Sequence, residues 1–260
     1  MRPSFRTYHE LSEPDSSGVV DQIGAQRRRV ADRLSYVRRV VAVMSGKGGV
    51  GKSFVTAHLA RAVARVGRPV GLLDADLDGP TAARLLDARE RRLTLDGDAV
   101  LPVAAAEGVK LVSMDQLLAD GRALAFTGPD RDSHVWRGTL EAAALREFLA
   151  DVAWGALDVL LVDLPPGLQR FQQLAELLPA PASVITVTIP TPESRDAVRR
   201  ALGAAIGHGA RPLGIVENMV GGAFHGDAAD ALAEEFGVPV LARVPFHPPD
   251  AVWTDLAARV

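Results

Sequence analysis

An apolar run from Val40 to Met44 leads into Gly46-Lys47-Gly48-Gly49-Val50-Gly51-Lys52-Ser53, and a stretch with helical periodicity, Gly51 to Val66, follows. The octapeptide satisfies G-x-x-x-x-G-K-[ST], and each specified position has a chemical reason to be there. Glycines let successive backbone N–H groups turn toward phosphate oxygens, and the first turn of the helix adds the positive end of its dipole. Lys52 offers a cation to β- and γ-phosphate oxygens, and the Ser53 hydroxyl offers one oxygen to Mg2+. A glycine-rich turn with an incidental lysine would look similar in isolation, but the strand before it and the helix after it favour phosphate. Lys47 adds a second cation early in the loop. Gly46 through Ser53, continued by Phe54, are therefore the candidate ligand-binding residues.

Two acidic segments complete the set. Val70 to Asp74 is a short apolar run ending in Asp74-Ala75-Asp76-Leu77-Asp78-Gly79-Pro80, and Val159-Leu160-Leu161-Val162-Asp163 is another apolar run ending in an acid. In a doubly wound sheet the ends of such strands face the ligand crevice. Phosphoryl transfer needs positioning and charge compensation more than covalent chemistry, so carboxylates there can hold Mg2+ or orient an attacking water. We assign Asp76 to the attacking water. Ser53, Asp74 and Asp163 are the metal-side candidates, and Lys47, Lys52, Asp76 and Asp163 the catalytic ones. Leu164-Pro165-Pro166-Gly167 is a stiff turn, and the Gly167 N–H is placed to sense a γ-phosphate. A polar, helix-capping loop is the plainer reading of the Asp74 segment.

The elements that must position these groups alternate along the chain. Further apolar strands are expected at 110–113, 183–189, 213–218 and 238–244, with helices at 81–87, 139–152, 169–178, 193–206 and 227–236. Continuous apolar strands separated by helices imply an α/β fold: a doubly wound, mostly parallel sheet with helices on both faces. Short strand-like runs at 93–95 and 100–103 flank the turn signal Asp96-Gly97-Asp98. Residues 1–17 are polar and aperiodic and are expected to be a loose tail. Residues 18–39 form a helical extension with an arginine-rich face, and residues 40–260 form the phosphate-binding domain.

Composition limits what else the chain can be. With 260 residues, 48% hydrophobic and 23% charged, it is an ordinary globular chain. A net charge of −3 argues against whole-protein affinity for nucleic acid. No run reaches the roughly 18 apolar residues of a membrane span, and the start lacks a signal peptide's apolar region, so a cytoplasmic location is expected. The six arginines Arg27, Arg28, Arg29, Arg33, Arg38 and Arg39 could attract an acidic partner or could simply be solvated. The chain contains no cysteine, which removes disulfides, thiolate metal sites and cysteine nucleophiles together.

Ser45 to Ser53, SGKGGVGKS, resembles the deviant Walker A motif of the MinD/ParA/nitrogenase-iron-protein superfamily. That resemblance implies a homodimer closed by ATP, with Lys47 reaching the partner subunit's nucleotide. DADLDGP at 74–80, Val135-Trp136-Arg137-Gly138, DLPPG at 163–167, Val216-Glu217-Asn218-Met219 and Gly237-Val238-Pro239-Val240 are similar to the Mrp/ApbC/Nbp ATPases, which deliver iron-sulfur clusters to client proteins. Membership implies ATP/ADP and Mg2+ as ligands, slow hydrolysis without a partner, an unidentified protein client, and an Asn218 amide that reads the adenine edge. Three positions depart from the family pattern. The family's Cys-x-x-Cys pair is replaced by Val220-Gly221-Gly222-Ala223-Phe224-His225-Gly226, so no iron-sulfur cluster is expected, and His225 is read as a loop histidine. Phe54 stands where a hydroxyl residue commonly follows Ser53, and Leu168-Gln169-Arg170 replaces Thr-Gly-Asp. The alternative is a MinD- or ParA-like organiser whose ATP form binds membrane or DNA. Its MinD form would want a basic amphipathic C-terminal helix, whereas residues 251–260 are short and nearly neutral.

Overall fold

The computed structural model describes residues 19–76, 79–97, 99–116, 144–222 and 224–260. The expected tail at 1–17, the Val135–Gly138 motif and the first residues of the helix expected from Thr139 lie outside these.

Helix α1 (Val19–Leu34) leads to β1 (Val40–Ser45), α2 (Lys52–Arg65), β2 (Val70–Asp74) and the single turn α3 (Ala82–Leu85). A small hairpin, β3 (Thr94–Asp96) and β4 (Ala99–Leu101), turns at Gly97 in the left-handed region. Next come β5 (Val103–Ala104), β6 (Lys110–Ser113), α4 (144–151) and β7 (Val159–Asp163). The chain closes with α5 (Leu168–Leu177), β8 (Ser183–Thr188), α6 (Pro192–Gly207), β9 (Arg211–Val220), α7 (Ala228–Phe236), β10 (Val240–Pro245) and α8 (Asp250–Ala258).

Eight strands form one sheet in the order β10-β9-β8-β1-β7-β2-β6-β5. Every pairing is parallel except that of β5, which runs antiparallel on the edge. Alternation within the central strands sends Val41, Val43, Val159 and Leu161 to one face with α2 and α8. Ala42, Met44, Leu160 and Val162 go to the other, with α1, α5 and α6. Both faces are covered, which is why these strands read as unbroken apolar runs.

Helix α8 was not anticipated from the sequence. Trp253, Leu256, Ala257 and Val260 recur at helical spacing, and all are buried against the α2 side of the sheet. Pro249 immediately precedes the helix and Asp250 places a negative charge in its first turn, so a start signal as well as the periodicity was present in a short segment.

Candidate functional site

The phosphate loop leaves the C-terminal end of β1 and is held by its neighbours. A Cβ at Gly46 would overlap the backbone of Ala197 and Val198, so α6 lies directly against the loop. Gly51 has φ +79°, and a Cβ there would overlap the Asn218 amide nitrogen. Asn218 is itself buried, and its Nδ2 donates to the Val50 carbonyl at 2.9 Å. The structure thus places Asn218 against the loop's backbone. The Ser45 hydroxyl donates to the Lys47 carbonyl at 2.9 Å. Lys47 is half-buried. Gly51 caps α2 with no side-chain hydrogen bond, so no side chain competes with an anion for the first N–H groups of that helix.

Below the loop sits a buried ionic cluster. Lys52 Nζ lies 2.6 Å from Asp163 Oδ1, with side-chain exposures of 7% and 0%. Thr56, one turn further along α2, donates to the same oxygen at 3.0 Å, and the Ser53 hydroxyl lies 3.3 Å from Lys52 Nζ. Asp163 Oδ2 is buried and has no hydrogen-bond partner among the described residues. An orphaned carboxylate oxygen is costly, and it marks a place where a donor or a cation belongs. Thr56 was not singled out from the sequence. Its contact with Asp163 spans 107 residues, and no local pattern announces it.

Asp74 stands beside Asp163, because β2 and β7 are paired in register at these two residues. Burial, followed by the neighbouring Asp163 charge, pushes its carboxyl up to about 7. Its oxygens accept from the N–H groups of Asp76, Thr81 and Ala82 and from the Ser113 hydroxyl. Asp74 therefore orders the loop that carries Asp76. Asp76 is half-buried, and its Oδ1 accepts the Gly79 N–H at 3.2 Å. Leu77 and Asp78 lie outside the described residues. Gly167 (φ +119°) is the N-cap of α5 and is exposed, and that helix start also lacks a side-chain cap.

The Phe54 ring turns away from the phosphate end. It packs on His58 (centroids 4.0 Å apart) and meets Trp253 edge-on at 5.8 Å, while His58 stacks on Trp253 at 4.9 Å. The hydroxyl of the family pattern is thus replaced by an aromatic contact between α2 and α8. Burial holds the His58 pKa below its usual value.

Next to Asn218, near the end of β9, Met219 has a φ of +60°, strained for a residue with a side chain, where the pairing with β10 shifts register. His225 is exposed, and no group of three or more His, Asp or Glu residues with metal-binding geometry occurs among the described residues.

A parallel sheet with a phosphate loop after β1, and with acids at the ends of β2 and β7, defines a P-loop NTPase. Residues 36–258 match the NUBPL iron-transfer P-loop NTPase family of the ParA group, and the chain belongs to that family. It is 36% identical over 260 residues to the iron-sulfur cluster carrier protein of Saccharolobus solfataricus, covering 94% of this chain and 85% of that protein. It is 37% identical over 230 residues to the cytosolic Fe-S cluster assembly factor NUBP2 of Homo sapiens, covering 83% of this chain and 82% of that protein. The solved nucleotide-binding protein of Archaeoglobus fulgidus in complex with ADP superposes with a TM-score of 0.71 at 31% identity, covering 89% of this chain and 91% of that one. The MinD ATPase of Pyrococcus furiosus shares the fold, with a TM-score of 0.58 at 19% identity, covering 86% of this chain and 98% of that one.

Proposed function

We propose that the protein is a Mg2+-dependent ATPase acting as a nucleotide-gated homodimeric switch for a protein client, working in the cytoplasm through residues 40–260. The observation that carries this reading is the buried Lys52–Asp163 pair with its orphaned Asp163 Oδ2, set beneath a helix start that has no side-chain cap. The ADP complex of the Archaeoglobus fulgidus relative supports the ligand class.

Each residue then has a task. The loop's N–H groups and Lys52 take the phosphates, so Lys52 exchanges part of its contact with Asp163 for the β/γ oxygens. Ser53 and Asp163 would hold Mg2+, with Asp74 on the outer side of that shell. The orphaned Asp163 Oδ2 and the Ser53 hydroxyl, which lies 3.3 Å from Lys52 Nζ, are the kind of hard oxygen donors that such a cation takes. Bound there, Mg2+ supplies compensation for the charge that develops on the transferring phosphoryl group. Asp76 orients the attacking water, the Gly167 N–H reads the γ-phosphate, and Lys47 carries its charge to the partner subunit's nucleotide. Asn218, already on the loop, supports adenine recognition with the rest of its amide.

The named relatives carry or assemble iron-sulfur clusters. Clusters are held mainly by thiolates, and this chain has no cysteine, so we assign it the switch without cluster carriage on its own side chains. The test is phosphate release with Mg2+·ATP by the wild type and Asp76→Asn, with sedimentation reporting the dimer. Slow hydrolysis with an ATP-dependent dimer is expected, and Asp76→Asn should still dimerise but not hydrolyse. A wild type that neither hydrolyses ATP nor dimerises with it would overturn the reading. ATP-dependent retention on liposomes or DNA would replace the client switch with a spatial organiser.

A further inference from the structure

The strands that end at the phosphate loop and at Asp74 begin at the opposite edge of the sheet, and there the chain gathers arginines. Arg38 and Arg39 lead into β1, Arg68 leads into β2, and Arg259 follows α8. With Asp158 and Val260 they line an open cavity of about 350 Å3. These residues come from segments far apart in sequence, so the grouping belongs to the fold and not to an arginine run.

The charges in this cavity do not balance. Arg68 Nε lies 3.2 Å from Asp158 Oδ2, while its Nη1 donates to the Ala257 carbonyl at 3.0 Å. Arg39 Nη1 donates to a main-chain oxygen of Val260 at 2.6 Å. Neither Arg38 nor Arg259 has a carboxylate partner among the described residues, and both are exposed. Four guanidiniums thus face one side-chain carboxylate. A carboxylate at Val260 would offset one more charge and still leave an excess of two. Like charges gathered in one concave site repel one another and concentrate counter-anions there.

We propose that this cavity is a binding site for a small anion bearing a phosphate monoester or diphosphate group, separate from the phosphate loop. Guanidinium groups present planar forks that match phosphate oxygens two at a time, and an anion carrying two or more charges answers the excess. The volume lies at the low end of small-ligand pockets, which fits one or two phosphate groups with a short carrier. The hydrogen bonds of Arg39 and Arg68 to main-chain oxygens preset two of the four forks, leaving Arg38 and Arg259 to close on the ligand.

The experiment titrates pyrophosphate calorimetrically into the full chain carrying Lys52→Ala, which weakens the phosphate loop, and into the same chain with Arg38→Ala and Arg259→Ala added. Saturable binding in the first, weakened at least tenfold in the second, is the expected result. Circular dichroism and melting should show both chains equally folded, since the two arginines are exposed. Arg38→Lys with Arg259→Lys should fall between, because the charge stays and the fork is lost. Citrate, similar in charge but built of carboxylates, should bind at least tenfold more weakly than pyrophosphate. Arginine-dependent co-sedimentation with phosphatidic acid vesicles, but not with phosphatidylcholine vesicles, would assign the phosphate to a lipid headgroup; its absence would assign it to a soluble ligand. Loss of all pyrophosphate binding in Lys52→Ala, equal binding with and without the two arginines, or citrate binding as tightly as pyrophosphate would overturn the proposal. The wild type's response to ATP is read separately, so failure here leaves the nucleotide switch standing.

Discussion

The loops that follow β1 and β9 leave the same edge of the sheet, but the first is held on several sides and the second on few. After β1, α6 presses on Gly46, Asn218 presses on Gly51 and donates to Val50, and Lys52 is locked to Asp163. After β9, a Cβ at Gly221 would meet nothing, His225 is exposed, and Phe246, the residue that Gly222 packs on, is 51% exposed. The second segment is also where the resembling family places its cysteine pair. Packing therefore constrains the phosphate-loop end more tightly than the loop after β9.

This contrast is broken most severely at Gly46. Gly46→Ala drives a methyl group into the α6 backbone, and we expect it to destabilise the fold by about 3 kcal/mol. A denaturant midpoint reports that loss, whereas Gly221→Ala, strained only by its left-handed backbone, should cost about 1 kcal/mol. Asn218→Ala removes the amide from Val50 and should cost about 1–2 kcal/mol, with ATP affinity falling alongside in the same titration.

Next in size is a pH effect. Burial holds His58 below the ordinary imidazole value of 6.5, so the unfolded chain binds that proton more readily. Its contribution to stability is complete above about 6.5 and is lost as pH falls toward the folded value. The wild type's melting temperature should drop more than that of His58→Gln between about pH 8 and pH 5.5. Equal drops would show that the Phe54–His58–Trp253 contact plays no part. The smallest effect is expected at His225, where His225→Ala should leave both melting temperature and ATP turnover unchanged within error. A loss of turnover there would make the β9 loop part of the nucleotide machinery.

Much of this was legible in the sequence because the central strands are buried on both faces and are apolar throughout. β2 and β7 occupy the expected residues, and the mostly parallel sheet follows from them. The phosphate loop was equally visible, since its glycines and lysine sit at fixed offsets. What escaped notice depends on distant partners. Thr56 reaches Asp163, Asn218 reaches back 168 residues to Val50, and Arg39 meets Val260 across 221 residues. The role of Asp74 in ordering its own loop was visible only as the plainer of two readings. Its four donors come partly from Ser113, on the neighbouring strand.

The most direct test of the central claim is calorimetric titration of Mg2+·ATP into the wild type and into Lys52→Ala. The account predicts saturable binding to the wild type and its loss in the variant, whose far-ultraviolet circular dichroism should be unchanged. A wild type that binds no nucleotide, or a Lys52→Ala that binds as tightly as the wild type, would contradict it.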